Sequence, residues 1–314
     1  MVGKITWYRS TSSIMPDIFG KGRWRTQNEA LRQCIEADKG NIPNNPQTMR
    51  QRMGDLLEPV LLKYASDLLN LKNLNVDITE KIKHEYLPLE ASLDGMAEAD
   101  QLIVKKSKDN NIFIPDEPIK NKIILDGVGV LECKCSSHDP KENPPDWLGV
   151  LQLKSSMNIL NAKWGMLVVL YFTDLRIYLY GQDKQFNDQL AIRVLDWERR
   201  IDEQDYFPPI SPEDARMLYA TGEEDTVIEL DEKVDNKIDQ ILKLKDQIKK
   251  TQSMVDALNT EVMECMGNHI YAVTKNYDIA WKSRTYKAKP ETLVPAKAEY
   301  TIRNKYPSFK VRAS

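Results

Sequence analysis

Apolar positions change their period several times along the chain, and each change marks an element. Over residues 48–69, Met49, Met53, Leu57, Leu61, Tyr64 and Leu68 recur at helical spacing and predict an amphipathic helix. Pro59 lies within it and has no N–H to give, which predicts a kink or a break. The run Val128, Gly129, Val130, Leu131 is short and continuous, as in a buried strand, and leads into Glu132, Cys133, Lys134 and Cys135. Pro144 and Pro145 then open a predicted helix that runs to Trp164 and stops at Gly165. Residues 166–172 and 175–180 read as two strands joined across Thr173 and Asp174. The resulting order predicts an α/β fold in which a mixed sheet is flanked by helices.

A Pro-rich joint at residues 207–212 ends that pattern. From Glu223 to Met266 there is neither Pro nor Gly, and Gly267 supplies a helix stop. Val227, Val234, Ile241, Ile248, Val255 and Val262 recur every seven residues, with Leu230, Leu244 and Leu258 three further on. Lys237, Thr251 and Cys265 interrupt the second set. β-Branched residues at one seam position and Leu at the other suit a two-stranded coiled coil, although one long helix lying on its own chain fits the same pattern. Three regions follow: residues 1–210, a long helix over 211–267, and a small basic β element over 268–314.

Composition narrows the class. The chain has 314 residues, 41% of them hydrophobic and 29% charged, enough for one core and an appendage. No apolar run is long enough to span a bilayer and no signal-peptide pattern opens the chain, so a soluble, cytoplasmic protein is expected. Cys34, Cys133, Cys135 and Cys265 form no C-x-x-C pair, and His84, His138 and His269 are dispersed. Reduced thiols and no zinc site are expected. The net charge of −3 conceals a segregation. Residues 201–240 hold 13 Asp and Glu against 3 Lys and Arg, whereas residues 275–314 hold 10 Lys and Arg against 3 Asp and Glu. Tyr277, Trp281, Tyr286, Tyr300, Tyr306 and Phe309 interleave that basic tail, a composition fit to touch phosphates and bases or to form a solvated strand face.

Strand alternation puts Glu132 and Lys134 side by side on one face. Burying such a pair is costly unless it serves a purpose. With Asp94 upstream, the chain holds two carboxylates and an ammonium, which suit a divalent cation and a water directed at a phosphodiester. Asp126 lies nearer to Glu132 in sequence and is the second candidate for the metal aspartate.

These residues resemble a known family. Ser92, Leu93, Asp94 and Gly95, then Glu132, Cys133 and Lys134, then Gln152, look like the lambda-exonuclease or YqaJ-type viral recombinase branch of the PD-(D/E)XK nucleases. Gly54 to Glu58 looks like that family's G-x-x-x-E helix, and Ser13 to Gly20, with Arg9 before it, is similar to its N-terminal helix. The resemblance covers about residues 7–180 and implies a restriction-endonuclease-like fold. It implies that Asp94 bridges two Mg²⁺ (or Mn²⁺) ions, that Glu132 and the Cys133 carbonyl ligate metal, and that Glu58 acts on the metals directly or through water. Lys134 and Gln152 would position the attacking water, and Arg9, Ser13 and Ser92 would grip the 5′-phosphate of a DNA end. Three departures stand out: Leu93 replaces the motif's proline, Lys154 replaces a glutamine, and a Lys-rich insertion separates Asp94 from Glu132.

The implied activity is Mg²⁺-dependent 5′→3′ digestion of linear duplex DNA in phage-type recombination. It implies a homo-oligomer, a phage or prophage setting in a bacterial host, and possible partnership with a single-strand annealing protein. Two alternatives stay open at this level: a structure- or site-dependent endonuclease, and a non-catalytic DNA-binding or assembly protein using its coiled coil.

Overall fold

The strand that carries Glu132 and Lys134 runs from Lys122 to Ser136 and lies inside a six-stranded mixed sheet. A computed structural model of the chain describes residues 9–42, 46–115, 121–222 and 227–282, which fall into two units parting between Leu218 and Tyr219. In chain order the first unit contains α1 (Met15–Ile18), α2 (Gln27–Asp38), α3 (Met49–Leu68), β1 (Lys72–Asn75), β2 (Ile82–Lys83), β3 (Glu90–Ala91) and β4 (Gly95–Lys105). It continues with β5 (Ile112–Phe113), β6 (Lys122–Ser136), α4 (Leu151–Ile159), β7 (Trp164–Tyr171), β8 (Asp174–Gly181), α5 (Lys184–Glu203) and α6 (Pro212–Leu218). Strand order in the sheet is β1-β4-β6-β7-β8-β5.

Connection chemistry explains that order. β4 and β6 form a long antiparallel pair in which Lys105 and Lys122, from the Lys-rich insertion between Asp94 and Glu132, face each other at the far end, while β5 from the same insertion pairs in parallel with β8. β6 and β7 are parallel, as the crossover through α4 requires. β7 and β8 form the expected hairpin, with its turn at Phe172 and Thr173 where Thr173 and Asp174 were expected. Gly129 is a packing glycine: a Cβ there would overlap the Trp164 indole on the neighbouring strand.

Side chains alternate across the sheet into two cores. Leu131 and Cys133 of β6, with Met166 and Val168 of β7, meet Leu62 and Ala65 of α3. Val130, Leu167 and Val169 point the other way, onto Leu153 and Met157 of α4. An outer layer joins α1, α2 and α5 through Met15, Leu31, Leu190 and Trp197.

Three sequence expectations need correction. α3 has Thr48 as its N-cap and passes through Pro59 without a break. Its buried face is Leu62, Ala65 and Leu69, while Met49, Met53, Tyr64 and Leu68 are exposed. Apolar residues cover more than one side of this helix, and the sheet buries the side that carries Leu62 and Ala65. The helix expected from Pro144 to Trp164 covers only Leu151–Ile159, because Gly149 (φ 89°) breaks the preceding turn and Asn161 (φ 50°) ends it. Trp164 is a buried strand residue, and Trp147 is half-buried.

The first unit continues beyond residue 210. Asn28 exchanges two hydrogen bonds with the backbone of Phe207, and buried Asp214 accepts from Thr26 Oγ1 at 2.5 Å. In the second unit α7 (Lys233–Met266) is one 34-residue helix ended by Gly267, followed by the hairpin of β9 (Tyr271–Val273) and β10 (Asp278–Ala280). Val227 and Leu230 precede this helix, so the first expected heptad is not helical. Tyr286, Tyr300, Tyr306 and Phe309 of the basic tail lie outside the described residues. Among the described residues no helix is long and apolar enough to cross a membrane.

Candidate active site

β6 builds the site because it stays paired with β7 on one edge while β4 leaves it on the other. The β4 register ends at Gly95 opposite Leu131, so the chain entering β4 delivers Asp94 beside the unpaired continuation of β6. There the Cys133 N–H donates to Asp94 Oδ2 at 3.0 Å. On an extended strand a residue's N–H and C=O face the same edge, so the Cys133 carbonyl is directed to the Asp94 side as well.

Glu132 shares the face of Val130, toward α4, and is wholly buried. The Lys134 ammonium donates to Glu132 Oε1, and the Lys134 side chain keeps 31% of its surface exposed. Glu132 Oε2 is buried with no hydrogen-bond partner among the described residues. A bare carboxylate oxygen of this kind is costly unless a proton or a cation meets it. Burial, and then the Asp94 charge, push the Glu132 carboxyl well above the usual carboxylate range, with Lys134 opposing. Burial pulls the Lys134 ammonium down, but the Glu132 and Asp94 charges outweigh it and hold that ammonium above the ordinary lysine value. Lys134 therefore remains a cation, and Glu132 is the group that has to adapt.

The remaining expected site residues divide. Glu58 stands one turn before Leu62 on the face of α3 that packs on β6, and its charge is felt at the Cys133 and Cys135 thiols. Gln152 is half-buried in the first turn of α4, close after the turn that lies against Lys134. Thr11 pairs in parallel with Glu90; Ser13 lies in the 3-10 turn Ser12–Ile14 that follows Thr11, and Ser92 directly follows β3. Thr11 Oγ1 and Ser13 Oγ are 3.0 Å apart.

Arg9 is engaged elsewhere, by Asp38 at 3.2 Å and by Glu198 and Asp202 at 2.8 Å each. These pairs tie Arg9 to α2 and α5. Lys154 likewise pairs with Asp183, the N-cap of α5, at 2.8 Å. Asp126 lies six residues from Glu132 on the same strand, roughly 20 Å away. It pairs with Lys163 at 2.7 Å, which holds it below the usual carboxylate range. The carboxylate beside Glu132 is Asp94.

Sequence reasoning missed Gly149. Its positive φ suits glycine, and a Cβ there would stand 3.2 Å from Lys134 Cγ and 2.9 Å from Leu167 Cδ1. The missing side chain is the space in which Lys134 lies. A lone glycine between Leu148 and Val150, in an otherwise apolar run, was the available signal.

Oxygen donors at this centre fit a hard divalent cation. Among the described residues no three His, Cys, Asp or Glu side chains converge as a complete metal cage. Two carboxylates and a backbone carbonyl would leave the other positions to water and to a substrate phosphate, as is usual for Mg²⁺.

No protein-family profile matches the sequence, and no curated protein matches it. Among solved structures, the chain is similar to the alkaline exonuclease LHK-Exo from Laribacter hongkongensis, at 15% identity and a TM-score of 0.44. That likeness covers 62% of this chain and 89% of the other. It is also similar to a phage-related exonuclease from Haemophilus somnus 129PT, at 13% identity and a TM-score of 0.42, over 62% of this chain and 94% of that one.

Proposed function

We propose that this chain is a metal-dependent deoxyribonuclease that digests linear duplex DNA from a 5′ end and leaves a 3′ single strand. The observation that carries the reading is the buried pair of carboxylates at Asp94 and Glu132, with the unpartnered Glu132 Oε2 and the Lys134 ammonium alongside. As a purely structural arrangement it would be wasteful, because two like charges are brought together and one oxygen is left bare.

Asp94, Glu132 and the Cys133 carbonyl would hold Mg²⁺, with Glu58 acting from α3. When bound, such an ion supplies Lewis-acid polarisation of the phosphodiester and a more acidic water. Lys134 is partly exposed and remains protonated, so it can hold a water by hydrogen bond and offset charge that develops on phosphorus. Gln152, in the first turn of α4, would help orient that water. Asp94 is itself oriented by the Cys133 N–H. Arg9, Ser13 and Ser92 would grip a terminal phosphate, with Arg9 exchanging one of its carboxylate partners for it. Binding would be mostly to the DNA backbone, hence salt-sensitive and indifferent to sequence. The exposed seam of α7 would pair with a second copy of the chain.

The test is digestion of a 5′-phosphorylated linear duplex and of the same DNA as a closed circle, with Mg²⁺ or EDTA. Wild type should consume only the linear form and only with Mg²⁺. Lys134→Ala should lose at least about a hundred-fold in rate while still binding DNA. Cutting of the circle would replace the end-dependent reading with an endonuclease. Absence of Mg²⁺-dependent cleavage on both substrates would leave a DNA-binding or assembly protein.

A further inference from the structure

Beyond the end of β6, the first unit exposes an aromatic group that the carboxylate–lysine centre does not use. Trp24, in the loop between α1 and α2, has 78% of its surface exposed. It stacks on His138 at 6.5 Å between centroids and 28° between planes, and meets Trp147 edge-on at 6.4 Å and 73°. His138 stands edge-on to Trp147 at 5.3 Å and 86°. The Arg23 guanidinium lies 5.1 Å from the Trp24 ring and 4.7 Å from the Trp147 ring. Three rings and a cation from three separate segments thus assemble into one partly exposed surface.

Its position relative to Lys134 is fixed by the chain. β6 ends at Ser136, two residues after Lys134, and the His138 N–H donates to Ser136 Oγ at 3.2 Å. Trp147 opens the turn whose Gly149 makes room for Lys134. A strand with a phosphate at Lys134 that left along the direction of β6 would come to this surface.

The geometry points to a stacking platform for one unpaired nucleobase of the strand that enters the site, a role that rests on the nuclease reading above. Indole offers a flat π face of the size of a base, and Arg23 both stacks with the rings and neutralises the phosphate of the same nucleotide. A base inside a duplex has its faces covered by its neighbours. The platform therefore selects a frayed or single-stranded nucleotide, without preference for sequence.

The test uses the full chain in EDTA, where nothing is hydrolysed, and a 5′-phosphorylated single-stranded ten-mer of thymidine carrying an abasic site at each position in turn. At one position the abasic site should weaken binding to wild type on the order of ten-fold. Trp24→Ala should weaken binding of the intact ten-mer by a similar factor and be indifferent to the abasic site at that position. Trp24→Phe, which keeps a ring, should restore most of the affinity. Trp24 is exposed, so its removal leaves both cores intact. Penalties that simply add, no effect of Trp24→Ala, or no measurable binding of the ten-mer would each overturn the platform. Failure of the nuclease reading would show separately, as absence of Mg²⁺-dependent cleavage in proteins that still display the Trp24-dependent abasic effect.

Discussion

A wholly buried carboxylate beside a second one has two ways to lower its energy: take up a proton or meet a cation. Glu132 is in that position, with burial and Asp94 both raising its affinity for a proton. The sign of the pH effect follows. A carboxyl whose folded value is raised contributes stability that is fully present below its unfolded value, about 4.3, and that is lost as pH rises through the folded value. Metal-free protein should therefore lose thermal stability as pH climbs from the ordinary carboxylate range toward neutrality and above. A divalent cation replaces the proton, so the gain in Tm on adding Mg²⁺ should grow over the same interval. Melting curves in EDTA and in Mg²⁺ across a pH series check this, and Glu132→Gln should flatten the trend. A Mg²⁺ effect that stays constant with pH would speak against a metal at Glu132. Activity plays no part in this readout, so the site can be tested apart from its reaction.

At the scale of elements, the turn Asp146–Val150 decides where Lys134 lies. Gly149→Ala must place a methyl against Lys134 and Leu167 in a backbone conformation that L-residues adopt at a cost of about 1 kcal/mol or more. Reduced turnover is expected together with a fall of about 1–3 kcal/mol in unfolding free energy, measured by urea titration alongside kinetics. Wild-type turnover in Gly149→Ala would show that the contact with Lys134 is incidental. The same elements show what the sequence made legible. Glu132 and Lys134 were readable because strand alternation has a strict period of two and fixes neighbours on a face. Asp94 was readable only in the context of a motif, since the β4–β6 register that brings it to Cys133 is a long-range pairing. The buried face of α3 was misplaced because Leu56, Leu57, Val60, Leu61 and Leu62 put apolar residues on more than one side, and the sheet selects among them. Arg9 gives no sign in sequence of its three carboxylates, two of which come from α5, almost two hundred residues away.

At the scale of the whole molecule, α7 carries an apolar seam about 50 Å long. Ile248 and Leu258 are more than 60% exposed, and Ile241, Leu244, Val255 and Val262 line the same seam. A second copy of the chain fits it. Val and Ile occupy one seam position and Leu the other, a segregation that matters in a parallel two-stranded coil, where each layer packs like on like. The flanking positions oppose no like charges in that arrangement: Gln240 faces Lys245, Gln247 faces Gln252, and Met254 faces Asn259 of the other strand. Lys237 falls near the start of the helix, where its stem can lie along the seam while the ammonium reaches water. Thr251 would meet Thr251, and Cys265 would meet Cys265. Mild oxidation should then give a disulfide-linked dimer on a non-reducing gel, absent in Cys265→Ser. Leu244→Asp with Leu258→Asp should abolish the cross-link and reduce the mass seen by light scattering, because each buried carboxylate would lack a partner. Dimers that form without a Cys265 cross-link would run antiparallel or join through another surface, and a monomeric wild type would leave the seam to a different protein. Pairing through α7 would have a consequence for the proposed activity: two linked copies of the first unit would raise each other's effective concentration at a DNA end. The seam variant should then bind linear duplex more weakly than wild type while its single-turnover cleavage rate, measured with enzyme in excess, stays the same.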